Sequence, residues 1–167
     1  MQALELLLDP DTDAVVRGEW AILGEAGLPS QADHTGETNA PHVTVLATER
    51  LPASDDELAA ALVPLLPLPV RLGPAVAFPG RRVVVARLVV ADPALLHLHA
   101  TAVAASRAEP TPLTSVGRWV PHVTLARGIP ADRVGEALSL LRVPGHDGTA
   151  TLLRHWDSDA RRATTLT

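Results

Sequence analysis

The chain has 167 residues, 47% of them hydrophobic, and a formal net charge of −5, which suits one domain with a proper core and rules out disorder. Cys, Lys and Tyr are all absent, so every one of the 14 basic residues is arginine. Those absences exclude thiol catalysis, disulfides, Cys-ligated zinc, a Walker phosphate lysine and a lysine nucleophile.

In chain order, Gln2–Leu8 reads as an opening strand. Asp9-Pro10-Asp11 then starts a helix with Val16, Trp20 and Leu23 on one face. Gly27 and Pro29 stop it, and residues 30–39 form a polar loop. A strand at about 42–48 follows. Ser54 and Glu57 have capping-box spacing before Leu58, Leu62 and Leu65, with Pro64, Pro67 and Pro69 limiting that helix.

Residues 70–78 and 82–90 are two strands around the turn pair Pro79-Gly80. The second is apolar on both faces apart from Arg87, as a central strand would be. Asp92-Pro93 opens a helix with Leu95, Leu96, His99, Ala102 and Val103 available to its inner face. After a loop at 109–115 comes a strand at about 119–126, then a helix from Pro130 with Val134, Leu138 and Leu141 on one stripe. Strands at about 148–156 and 161–166 end the chain.

One pattern is written twice, as Pro41-His42-Val43-Thr44-Val45 and Pro121-His122-Val123-Thr124-Leu125. Residues i and i+2 of a strand share a face. Each copy therefore sets an imidazole beside a hydroxyl, and two copies suggest two halves of one site. The order strand, helix, motif strand, Pro, helix also recurs. The expected fold is thus α+β over residues 1–167, a single domain of two similar lobes. Two mainly antiparallel sheets would face across a central groove, with helices outside.

Phosphoester cleavage explains such a pairing. One oxygen must lose a proton and another must gain one on the opposite side of phosphorus. Histidine suits both duties near neutrality. Two hydroxyls can serve the non-bridging oxygens, where charge gathers. His42, Thr44, His122 and Thr124 are the expected catalytic residues, with no metal and no cofactor.

At these residues the chain resembles the 2H phosphoesterase superfamily, named for its paired His-x-Thr/Ser motifs, and within it the 2′-5′ RNA ligase-like branch. The resemblance implies a bilobal fold and metal-independent hydrolysis of 2′,3′-cyclic phosphates on nucleotides or RNA ends. ATP-independent 2′-5′ ligation occurs in some relatives. Arg127 fits an arginine often found after the second motif. On a straight strand, however, 122, 124 and 126 share a face and Arg127 points away. A bend near Gly128 would bring it into the groove.

Three residues are candidates for substrate binding. They are Arg127; Trp119, by stacking on a base or else as core; and Arg87, as an anion ligand or else an edge charge. His34 falls on a loop, as a surface residue or else near the site. His97 and His99 diverge on their helix, and His146 and His155 read as surface residues.

The implied partner is a small nucleotide or RNA terminus bearing a cyclic phosphate. The acidic net charge argues against a long nucleic-acid footprint. No run approaches the ~18 apolar residues of a membrane span, and no basic region precedes the first apolar stretch, so a monomeric cytoplasmic protein is expected. Two alternatives use the same residues. One is a non-catalytic module that binds nucleotides or RNA ends. The other is a metal-dependent hydrolase using His42, His122 and a carboxylate.

Overall fold

Among the described residues, three of the four helices begin where the sequence places an oxygen and, in two cases, a proline. A computed structural model describes residues 1–36, 38–142 and 144–167. Helix α1 spans Pro10–Glu25, and the Asp9 carboxylate accepts from the Asp11 and Thr12 amides. Helix α2 spans Asp55–Leu62, with Ser54 and Glu57 capping each other reciprocally. Helix α3 spans Pro93–Ser106, and Asp92 accepts from the Leu95 amide. No side chain caps α4, Val134–Leu140, which is entered through the 3₁₀ turn Ala131–Arg133. The loop before the first motif holds another such turn, Gln31–Asp33.

The strands are β1 (Gln2–Leu8), β2 (His42–Thr48), β3 (Leu68–Phe78), β4 (Val83–Val89), β5 (His122–Ile129), β6 (His146–Asp157) and β7 (Arg162–Leu166). They form one antiparallel sheet in the order β1-β2-β5-β4-β3-β6-β7, with β6 also pairing with β1. Strands expected in two facing sheets are therefore hydrogen-bonded into one. The cause is the length of β6. Its first residues, from His146 to Ala150, pair with β3, and Ala150–Asp157 pair with β1. As expected, β4 is central, between β3 and β5.

Gly148 lets β6 pass close to α1, because a Cβ there would lie 1.9 Å from the hydroxyl oxygen of buried Thr12. One core holds Leu4, Leu6, Trp20, Leu46, Leu95, Leu125 and Leu153, all nearly inaccessible to solvent. Leu98 joins Leu95, His99 and Ala102 on the buried face of α3, whereas Leu96 is 46% exposed. The inner stripe is thus i, i+3, i+4, i+7, one step round from the expected set. No helix is long and apolar enough to cross a membrane among the described residues.

Candidate active site

The two motif strands are neighbours, and the pair Val43–Val123 joins them. Continued in antiparallel register, that pair sets His42 across from Thr124 and Thr44 across from His122. Val43 and Val123 are fully buried on the opposite face, where the core lies. The β-branched residue between His and Thr therefore anchors each motif from behind.

Two tryptophans occupy backbone acceptors beside this junction. The indole N–H of Trp20, on α1, donates to the Thr124 carbonyl at 3.1 Å. That of Trp119 donates to the Thr44 carbonyl at 2.9 Å. Each motif threonine thus has its main chain tied to a tryptophan from elsewhere in the chain.

Both strands carry a bulge just after the threonine. On β2, Leu46 pairs with Leu4 and Thr44 with Glu5, leaving Val45 as the extra residue. On β5, Ala126 pairs with Val85 and Thr124 with Ala86, leaving Leu125 extra. Leu125 and Ala126 both face the core, so the alternation slips by one and Arg127 emerges on the groove side. The straight-strand expectation fails for this reason, and the change of face begins at Leu125, ahead of Gly128. The Arg127 guanidinium reaches to 3.5 Å from the Thr124 hydroxyl. Ala47 occupies the corresponding place on β2 and also lines the groove.

The two imidazoles are held in the same way. Nδ1 of His42 lies 2.7 Å from the Ala40 carbonyl, and Nδ1 of His122 lies 2.8 Å from the Val120 carbonyl. A carbonyl only accepts, so each Nδ1 carries hydrogen and each Nε2 is left for chemistry. Their surroundings differ. The Phe78 ring packs on His122 at 4.8 Å between centroids. Burial pulls the His122 pKa below the ordinary histidine range, and the charges of Arg127 and His42 act in the same direction against the hydrogen bond to Val120. The Nε2 of His42 instead lies 3.4 Å from a carboxylate oxygen of Glu5.

His42, Thr44, His122, Arg127 and Trp119 line one cavity of about 930 Å³. That volume falls within the ~300–1,000 Å³ of small-molecule sites. Thr124 is not among the lining residues; it is 7% exposed, and its hydroxyl lies 3.5 Å from the Arg127 guanidinium, which does line the cavity. His34 is exposed and also lines the cavity. Trp119 does so too, but His99 stacks on one of its faces at 4.2 Å.

Arg87 is not a groove ligand. It pairs with Val123 across the strands and shares that residue's core-facing side. There its Nε donates to both Glu19 carboxylate oxygens at 3.0 Å, and its terminal nitrogens reach Glu19, the Gly73 carbonyl and the Leu141 carbonyl. His146 and His155 are not free surface residues either. His146 bonds the Thr12 hydroxyl at 3.1 Å, and His155 lies between Asp55 and Gln2.

Sequence reasoning missed Glu5 and Arg154, both nearly buried and both lining the cavity. Arg154 Nε donates to Glu5 at 2.7 Å and its NH1 donates to the Thr38 carbonyl at 2.8 Å. The signal is Glu5 as the one charge inside apolar β1 and Arg154 within the Leu152-Leu153-Arg154 stretch of β6, which cross-strand pairing sets side by side. Among the described residues, no three of His, Cys, Asp and Glu stand close enough to hold a metal ion.

Fold and site together define an α+β protein whose paired His–Thr strands open into one groove. Residues 16–156 match the model of the 2′-5′ RNA ligase superfamily, and the chain belongs to that superfamily. The structure of Usb1 from Kluyveromyces marxianus is similar in fold, with a TM-score of 0.55 and 16% identity, covering 99% of this chain and 96% of that one. The same protein with uridine monophosphate gives a TM-score of 0.50 and 14% identity, with 99% and 96% covered. No curated protein matches the chain in sequence.

Proposed function

We propose that the protein is a phosphodiesterase that opens 2′,3′-cyclic phosphates on nucleotides or RNA ends by paired-histidine acid–base catalysis. The observation that carries this reading is the matched tethering of the two rings. Each Nδ1–H is spent on a backbone carbonyl, so both Nε2 atoms remain for the cavity that both histidines line.

In the forward step, Nε2 of one histidine takes a proton from water while the water oxygen bonds to phosphorus. The bond from phosphorus to one ribose oxygen breaks, and that oxygen takes the proton from Nε2 of the other histidine. A cyclic diester and water become a monoester and a free hydroxyl. Solvent then restores both rings. Charge rising on the non-bridging oxygens is met by the Thr44 and Thr124 hydroxyls and by Arg127.

With a 5′ ribose hydroxyl in place of water as the incoming group, the same ring-opening step joins 2′-5′ ends without ATP: the new bond to phosphorus forms as the bond to the ring oxygen breaks. Superfamily membership and the uridine monophosphate in the Usb1 structure support a nucleotide or RNA terminus as ligand. Of the two arginines that line the cavity among the described residues, Arg154 is paired with Glu5 and Arg127 is left for the phosphate, which with a net charge of −5 favours recognition of the end over a long strand.

The test is product analysis with 2′,3′-cyclic nucleotides and a cyclic-phosphate-ended oligonucleotide, with chelator present. Conversion to a monophosphate that chelator leaves unchanged is expected. Binding without turnover would mark a recognition module, and loss of turnover to chelator would mark a metal-dependent hydrolase.

Thr44→Ala and Thr124→Ala should each lower kcat by up to the ~10²–10³-fold typical of one oxyanion donor. Steady-state kinetics check this, and two silent variants would leave the hydroxyls as ordinary strand residues.

A further inference from the structure

The two halves of the site match in their backbone and differ in the side chain that faces each motif threonine from the flanking strand. Opposite Thr44 on the neighbouring strand stands Glu5, while opposite Thr124 stands Ala86. Opposite His42 stands Leu7, and opposite His122 stands Leu88. Only the His42 half therefore has a carboxylate at this place, and its oxygen lies 3.4 Å from Nε2 of that histidine.

We infer that Glu5 is a positioning residue that makes His42 the general acid and so leaves the base role to His122. This rests on the phosphodiesterase reading above. Because Nδ1–H of His42 is committed to Ala40, its second proton sits on Nε2, facing the Glu5 carboxylate. The carboxylate beside that nitrogen gives an Nε2–H an acceptor to align with and so sets the direction of the ring's donor. At 3.4 Å the contact is too long for a strong hydrogen bond, so the proton remains available to an incoming oxygen. Arg154, bonded to the other Glu5 oxygen, keeps the carboxylate from turning away.

The other charged and titratable groups around His42 fit the same division. His122 and Arg127 face the cavity from β5, and Asp33 and His34 face it from the turn before β2. On the His122 side the nearby groups are the Phe78 ring and the Arg127 guanidinium, and the guanidinium charge disfavours an imidazolium.

A leaving group that needs no proton tests this directly. kcat/KM is measured on a 2′,3′-cyclic nucleotide and on analogues with each bridging oxygen in turn replaced by sulfur, which departs as a thiolate. Glu5→Gln should lose about tenfold or more on the oxygen ester, part of the ~10²–10⁴-fold a general acid contributes. Its loss on the sulfur ester that wild type cleaves should be much smaller, and His42→Ala should show the same split. His122→Ala should lose heavily on both esters.

Glu5→Gln deprives Arg154 of its counter-charge, so Glu5→Gln/Arg154→Gln is measured beside it, and the same split is expected. Glu5→Asp, which keeps the charge, should fall between wild type and Glu5→Gln. Equal losses on both esters, or none on either, would overturn the role of Glu5 while leaving the phosphodiesterase reading intact. A wild type inert on every ester would end that reading and this inference with it.

Discussion

His42→Ala and His122→Ala should each lower kcat by about 10²–10⁴-fold on a 2′,3′-cyclic nucleotide, the usual contribution of one general acid or base. The double variant should be little worse than the weaker single. Proton removal on one side of phosphorus and delivery on the other belong to a single displacement, so losing either forfeits most of the gain from both. Folding should be largely preserved, because both rings are only partly buried and each makes one hydrogen bond to backbone two residues away. Single-turnover rates beside urea midpoints separate the two effects. A variant that folds normally and keeps near wild-type rates would remove its histidine from the chemistry.

The second large effect concerns stability. Glu19→Ala should destabilise the fold by about 3–5 kcal/mol, the range for breaking a buried ion pair by removing one partner. Arg87 is 3% exposed and Glu19 1%, so the remaining guanidinium would lie uncompensated in the core. Replacing both, as Glu19→Leu/Arg87→Met, should recover part of the loss. Recovery stays partial because Arg87 also serves the Gly73 and Leu141 carbonyls, which the double variant leaves without that donor. Urea denaturation checks this, and a single-variant cost under about 1 kcal/mol would mean water reaches the pair. The pair matters to the site by location. Glu19 precedes Trp20, whose indole holds the Thr124 carbonyl, and Arg87 backs Val123 between His122 and Thr124.

Much of this was legible because it depends on local order. Helix starts followed from Asp9-Pro10, Ser54 with Glu57, and Asp92-Pro93, whose oxygens and rings act within three residues. The repeated His-x-Thr identified the histidine–threonine groove because strand alternation alone puts both side chains on one face.

What escaped the sequence depends on partners distant along the chain. Arg87 reads as a lone charge in a central strand until α1 brings Glu19 beneath it, 68 residues away. Arg127 follows the wrong face until the bulge at Leu125 is known, and bulges arise from cross-strand pairing. Glu5 and Arg154 stand 149 residues apart, so neither strand by itself discloses the pair.

The central claim is that one imidazole acts neutral and the other protonated, and the pH dependence of kcat/KM tests it most directly. On a 2′,3′-cyclic nucleotide, with chelator present and chemistry rate-limiting, the profile should be a bell. The acid limb reports protonation of the base. Burial first, with the nearby charges of Arg127 and His42, lowers the pKa of His122. A base with a lowered pKa stays neutral further into acid, so the fall in activity should begin below the ~6.5 of an ordinary histidine. The alkaline limb reports deprotonation of the general acid. A bell with its acid limb shifted down is the predicted result, and a flat profile from about pH 5 to 9 would contradict the two-histidine mechanism.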